Sequence, residues 1–317
     1  MKATLQIRQA VRPWVESSVA RILIGVSGGA DSMALAAATI AECRNTGIEV
    51  IAIIVDHQLQ DGSSAVASKA QETLLAIGCN KVKIYTVNVI LIDGLEASAR
   101  RARYEAFENA ITEFNPDYFF LAHTKNDQAE TVLLGLVRGS GTRSLSGIAE
   151  VQDKYVRPLL EISRETTETV CKENEIIPWQ DPHNFDTQYL RVRIRREILP
   201  DLEKNIGPGI IEGLARSARL LREDADALDQ IASEFLAPLD PTDLPIDALE
   251  PLPKGIRSRV LRLAIFAVGA PPGSLSAEHL APVEALITDW HGQGVISLPG
   301  GVKVERISGR LSLLAQA

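Results

Sequence analysis

Arg21-Ile22-Leu23-Ile24-Gly25-Val26-Ser27-Gly28-Gly29-Ala30-Asp31-Ser32 joins a short apolar run to a Ser/Gly turn and then to a helical pattern. Two glycines let the backbone turn tightly and present N–H groups to an anion. Ser27 and Ser32 add hydroxyl donors, and a helix starting near Ala30 points the positive end of its dipole the same way. Asp31 would repel a bare phosphate, so its presence implies a bridging Mg²⁺. The lysine of a Walker loop is absent, which argues against γ-phosphoryl transfer. The same residues also suit a plain strand-to-helix turn, with glycines for geometry and Ser and Asp as caps. Spacing alone leaves both readings open.

Outward from this turn, further β-branched or aromatic runs at 49–56, 81–89 and 117–122 alternate with helical stretches at 30–46, 63–77 and 96–114. Such alternation predicts an α/β fold with a doubly wound parallel sheet. Ligands of these sheets sit at the carboxyl ends of the strands, so Ser27, Asp56 and His123 are expected to face one crevice. After Pro182 the pattern changes to charged amphipathic helices over 191–202 and 210–235. The Pro/Asp-rich stretch 238–253 reads as a linker. Beyond it, 254–268 and 277–289 look helical, and 294–298, 302–307 and 310–314 read as a small meander.

The chain has 317 residues, more than a usual single domain, so a large α/β unit with a smaller second one is expected. Its residues are 45 % hydrophobic and only 5 % aromatic, which suits an aliphatic, helix-rich core. No run approaches the roughly 20 apolar residues a membrane span needs, and the first twenty residues hold no continuous apolar stretch, so a cytoplasmic protein is expected. Cys43, Cys79 and Cys171 lie far apart with no metal-ligand spacing, which argues against a disulfide framework or structural zinc. A net charge of −8 argues against nonspecific coating of nucleic acid, although local basic clusters can act on an acidic average.

Four other constellations carry chemistry. His123-Thr124-Lys125-Asn126-Asp127-Gln128-Ala129-Glu130-Thr131 leads into a helix on which Asp127, Glu130 and Thr131 share a face. Two carboxylates with a histidine there can bind an amine and accept its proton, or they can be an acidic first helical turn beside a core histidine. Gly139-Ser140-Gly141 opens a Gly/Ser loop able to approach a ligand. Glu96 to Tyr104 is an Arg-rich helix start with Arg100 and Arg103 on one face, alternatively a solvated face with a Glu96–Arg100 pair. Arg191, Arg193, Arg195 and Arg196 crowd a helical turn and a half. There Arg191 and Arg195, at i and i+4, either grip phosphate or form a solvated face.

Ser-Gly-Gly-x-Asp-Ser after a first strand resembles the PP-loop of ATP pyrophosphatases, which adenylate a carbonyl oxygen and release pyrophosphate. With Val55-Asp56-His57, Glu96-x-x-x-Arg100-x-x-Arg103-Tyr104, the His123–Thr131 run, Gly139-x-Gly141 and Arg157-Pro158-Leu159-Leu160 in this order, the chain resembles the tRNA(Ile)-lysidine synthetase family. The likeness is close over about 20–200, through Trp179-Gln180-Asp181-Pro182-His183-Asn184, and looser beyond. Departures stand at Thr124 and Asn126, at Ser144 where the family often has Gly, at His183 where it has Ser, and at Val192 where it has Asn.

The resemblance implies a catalytic body over 1–205, a helical linker over 206–240 and a small tRNA-contacting domain over 241–317. It implies that ATP, held by Ser27, Gly28, Gly29, Ala30, Asp31, Ser32, Asp56, Gly139 and Gly141 with Mg²⁺ at Asp31, adenylates the wobble cytidine of the CAU anticodon of tRNA(Ile). Free L-lysine then displaces AMP, changing codon reading from AUG to AUA. Asp127 and Glu130 would hold the lysine amine. Arg100, Arg103 and His123 would steady phosphate charge, and Arg191 and Arg195 would grip tRNA. Rival chemistries are cytidine thiolation, which normally needs paired or catalytic cysteines, and amide formation, which needs an ammonia source. Neither is evident.

Overall fold

The computed structural model describes residues 2–315 apart from Ser17, Asp61, Asp93, Ser140 and Pro272, so Ser140 of the Gly/Ser loop lies outside the described residues. The chain forms two compact units, Met1–Leu220 and Leu221–Ala317.

In the first unit β1 (Arg21–Val26), β2 (Glu49–Asp56), β3 (Lys81–Thr86) and β4 (Tyr118–Phe120) run parallel in the order β3-β2-β1-β4. β5 (Val151–Gln152) and β6 (Tyr155–Val156) extend the sheet beyond β4, with only β5 antiparallel to its neighbour. The central strands are apolar almost throughout because both of their faces are covered. Alternation along β1 divides the core. Ile22, Ile24 and Val26 pack with Met33 of α2 (Ala30–Cys43) and Leu74 of α3 (Ser63–Ala76). Leu23 faces the other way, toward Phe107 and Phe114 of α4 (Leu95–Phe114) and Phe119. This is the expected doubly wound α/β sheet. β3 stops at Thr86, short of the apolar run 81–89, because its one neighbour, β2, ends at Asp56.

α1 (Ala3–Val11) was not anticipated by the sequence reading. It packs on α2 and α7 (Arg164–Glu173) and buries Ile7 and Val11, four residues apart on one face. The helix expected over 191–202 is interrupted: α8 (Leu190–Arg193) passes through a π-helical turn at Ile194–Ile198 into α9 (Leu199–Asn205). The wider π turn lets Ile194 and Leu199, five residues apart, enter one apolar cluster with Ala129 of α5 (Lys125–Val137), which the short α6 (Thr142–Leu145) follows.

α10 (Ile210–Leu236) carries the chain into the second unit. There β7 (Asp243–Pro245), β8 (Ile296–Ser297), β9 (Val302–Ile307) and β10 (Arg310–Ala315) form an antiparallel sheet in the order β7-β10-β9-β8. α11 (Ile246–Leu249), α12 (Lys254–Ala267) and α13 (Ala277–Thr288) accompany it. The expected meander is β8-β9-β10. The linker reading of 238–253 is corrected. Leu244, Ile246 and Leu249 are buried in this unit's own core, and Leu244 pairs with Leu311. The Asp and Pro residues punctuate turns, as where Asp240 accepts from the Thr242 N–H at 2.8 Å, while the apolar residues between them fill the core.

Candidate functional site

At the carboxyl ends of β1 and β4, where the strand order reverses, opens a cavity of about 870 Å³, within the roughly 300–1,000 Å³ usual for ligand clefts. Its floor is the Ser/Gly turn. Gly28 takes φ +81°, a conformation that favours glycine, and Gly29 caps α2 in extended geometry. Ser32 Oγ donates to Gly29 O at 2.9 Å and accepts from Ser27 N–H at 3.2 Å, so the hydroxyls lock the turn. The first N–H groups of α2 lack intrahelical acceptors and face where an anion would lie.

Asp31 stands in the first turn of α2 and lines the cavity. Burial raises its carboxyl above the ordinary range; Arg164 and the Thr167 hydroxyl counter this, while Asp127 adds to it. Among the described residues no three His, Cys, Asp or Glu side chains could hold a metal between them. A Mg²⁺ that takes one carboxylate and completes its shell with phosphate oxygens and water fits Asp31 above an anion-binding turn.

Asp56 ends β2 and His57 follows it, both lining the cavity. Asp56 is spent on local structure: Oδ1 accepts from Gln58 N–H at 3.0 Å and Oδ2 from the Ser64 hydroxyl at 2.9 Å. His57 Nε2 accepts from Arg103 Nε at 3.4 Å, and its Nδ1 has no partner. Burial, followed by the charge of Arg103, lowers His57 to about 4 despite Asp56. Arg100 makes no pair with Glu96. It lies over the Tyr104 ring at 4.9 Å, leaving both Arg100 and Arg103 on the wall without carboxylate partners among the described residues. His123 also lines the cavity, with Nδ1 unpartnered. Burial lowers it to about 4, so it is neutral near pH 7.

Three carboxylates and three guanidiniums cluster at the cavity, where Asp31, Asp127, Arg164 and Arg195 line it and Glu130 and Arg191 do not. Arg164, in the first turn of α7, donates to Asp127 Oδ1 at 3.0 Å and Glu130 Oε1 at 3.2 Å, and its Nε lies 3.4 Å from Asp31 Oδ2. Arg191 Nε donates to Glu130 Oε2 at 3.0 Å, and Arg195 grips both Glu130 oxygens at 2.7 and 2.9 Å. Asp127 Oδ2 accepts from the N–H and hydroxyl of Thr124, both at 2.8 Å, closing the capping box of α5. Burial pushes Asp127 up, but Arg164, His123 and these donors leave it lowered overall.

Glu130 is fully buried and its lone pairs are taken by three arginines, so the expectation that it holds an amine directly is corrected. The same contacts correct the reading of Arg191 and Arg195 as free phosphate grips. Both are committed to Glu130, although Arg195 also reaches the cavity wall. The expectation that Gly139 and Gly141 approach a nucleotide meets a geometric obstacle. They follow the carboxyl end of α5, whose thirteen residues carry the chain about 20 Å from His123, and they do not line the cavity. Gln128 instead anchors that loop: its Nε2 donates to Ile148 O at 2.8 Å and its Oε1 accepts from Ile148 N–H at 2.7 Å.

Arg164 and Trp179 were missed as site residues. Trp179 N–H donates to Gly28 O at 2.9 Å, fastening the 178–181 segment to the anion-binding turn. Arg164 carries no motif beyond its place after the Ser163 cap of α7, and only the fold brings it to Asp31.

A PP-loop domain model matches residues 2–202, and a TilS substrate binding domain model matches residues 244–312. The chain is similar to the tRNA(Ile)-lysidine synthase of Rhodococcus erythropolis, 45 % identical over 309 residues, with 96 % of this chain and 92 % of that protein covered. It is 46 % identical to that of Streptomyces coelicolor, with 92 % and 84 % covered, and 42 % identical to that of Thermobifida fusca, with 98 % and 95 % covered. The fold is like that of a U34-tRNA thiolase from Methanococcus maripaludis, at TM-score 0.59 and 18 % identity over 69 % of this chain and 78 % of that one.

Proposed function

Because this chain belongs to the tRNA(Ile)-lysidine synthase family, and is thus an ATP-dependent ligase built on a PP-loop domain, we propose that it joins lysine to C2 of the wobble cytidine in the CAU anticodon of tRNA(Ile). The cytidine O2 attacks the α-phosphorus of ATP, and the bond to the β-phosphate oxygen breaks to release pyrophosphate. The lysine ε-amine then attacks C2, the C2–O bond breaks, and AMP leaves with the bonding electrons. The product reads AUA in place of AUG.

The observation that carries this reading is the locked turn Ser27–Ser32 lining the cavity together with Asp31 and with Arg100 and Arg103, which have no carboxylate partner among the described residues. The turn and the amino end of α2 hold the pyrophosphate portion. Arg100 and Arg103 take up charge that grows as the phosphate bond breaks. Mg²⁺ held by Asp31 would neutralise phosphate charge. Asp127, which reaches the cavity wall, is the carboxylate assigned to the amine. Glu130 acts through the arginines it fixes. In this reading 1–205 is the catalytic body, 206–240 the connector, and 241–317 the tRNA-contacting part, supported by the substrate-binding model over 244–312.

The test is incubation with ATP, labelled lysine and total tRNA. Label in acid-stable RNA, with pyrophosphate and AMP released in equal amounts, is the expected result. Pyrophosphate release with no label in RNA would favour a different acceptor.

A further inference from the structure

We propose that the Phe185 ring, beneath the Arg196 guanidinium at the rim of the cavity, is a stacking platform for an unpaired base of the anticodon loop. This inference rests on the tRNA reading above and adds residues to it. Phe185 is 51 % exposed, an unusual position for a phenyl ring, and it joins none of the apolar clusters of the described residues. The Arg196 guanidinium carbon lies 4.5 Å from the ring centroid, and Arg196 has no carboxylate partner among the described residues. Both residues line the cavity whose floor is the anion-binding turn.

The turn that carries the ring is also pinned. Phe185 ends a 3-10 turn at Pro182–Phe185, capped by Asp181, whose Oδ1 accepts from His183 N–H at 2.9 Å. Gln60, four residues beyond the end of β2, ties the turn down, with Nε2 at 2.9 Å from Asp181 Oδ1 and 2.7 Å from His183 Nδ1. A lone exposed aromatic needs no explanation. A half-exposed one on a pinned turn, with a cation lacking a carboxylate partner against its ring, matches how proteins hold unpaired bases, which stack on aromatic rings and guanidinium planes. The ordering cost is already met in the folded chain, so stacking energy appears as affinity. The unpaired charge of Arg196 favours a polyanionic partner.

The experiment measures binding of a CAU anticodon stem-loop and of whole tRNA(Ile) to the full chain and to Phe185→Leu, Phe185→Ala, Phe185→Trp and Arg196→Ala, with the unfolding midpoint of each as a folding check. Leu keeps apolar volume without a π face, so Phe185→Leu and Phe185→Ala should both weaken binding about five- to a hundredfold, while Phe185→Trp stays within about twofold of the parent. Arg196→Ala should weaken binding and lower the salt slope by about one. In a series of stem-loops each abasic at one loop position, one should erase the difference between parent and Phe185→Leu. Binding by Phe185→Leu within twofold of the parent, or an abasic series in which no position matters, overturns the proposal. A parent chain that binds no tRNA overturns the tRNA reading itself, and this inference falls with it.

Discussion

Three guanidiniums converge on the buried Glu130 carboxylate, so its loss strands positive charge in the interior. Breaking a buried ion pair on one side typically costs 3–5 kcal/mol. Glu130→Gln is therefore expected to lose about 3 kcal/mol or more of stability, read from denaturant unfolding, with adenylation and lysine transfer falling together. A variant that kept its midpoint and lost only lysine transfer would return Glu130 to the amine. Asp31→Ala should cut pyrophosphate release at saturating tRNA and lysine by about a hundredfold, the scale of losing one contact to developing charge. Release near the parent rate would remove Asp31 from the reaction. His57 and His123 give the residue scale a pH signature. Both are held at about 4, below the roughly 6.5 of an unfolded chain. Above pH 6.5 neither state carries the proton. Between 6.5 and 4 the unfolded chain takes it up and the folded one does not, so stability falls as pH falls through that window. The urea midpoint should drop from pH 7 to pH 4.5, and less steeply in a His57→Gln/His123→Gln variant; equal slopes would show that other groups set the dependence.

At the scale of elements, the π turn at Ile194–Ile198 is a testable device. Deleting exposed Glu197 leaves Ile194 and Leu199 four positions apart, where an ordinary α-helix keeps both on the buried face. The deletion should fold with an undiminished midpoint yet lose activity, because Arg195 and Arg196 sit within the turn that is remade. A large fall in midpoint would show that the turn is needed for packing. This turn also marks where legibility ended. β1, β2, α2 and the PP-loop between them were readable because each is local: a continuous apolar run, two glycines and a helix start. The meander was readable from its turn residues. The π turn was not, since one extra residue leaves hydrophobic periodicity almost unchanged. Nor was the Glu130 cluster, whose partners Arg164, Arg191 and Arg195 lie 34, 61 and 65 positions away along the chain. Periodicity placed Arg191 and Arg195 on one face correctly and could not say that a carboxylate already stood there. The Pro/Asp stretch misled because turn residues and linker residues are the same residues; only the buried leucines between them differ.

At the scale of the whole molecule, each unit has its own apolar core. Leu286, fully buried in the second, should cost about 2–5 kcal/mol when cut to Ala. Hydrogen exchange is expected to quicken at β9 and β10 amides while β1 and β2 keep their protection; equal loss in both sheets would mean that the units unfold as one. Among the described residues no helix is long and apolar enough to cross a membrane. The bond from Trp179 N–H to Gly28 O has one more consequence. It hangs an indole on the turn where pyrophosphate is expected to lie, while Trp14 and Trp290 stand elsewhere in the chain. The molecule thus carries its own optical reporter: intrinsic fluorescence from Trp179, isolated by replacing the other two tryptophans with Phe, should change as nucleotide loads, with no added dye.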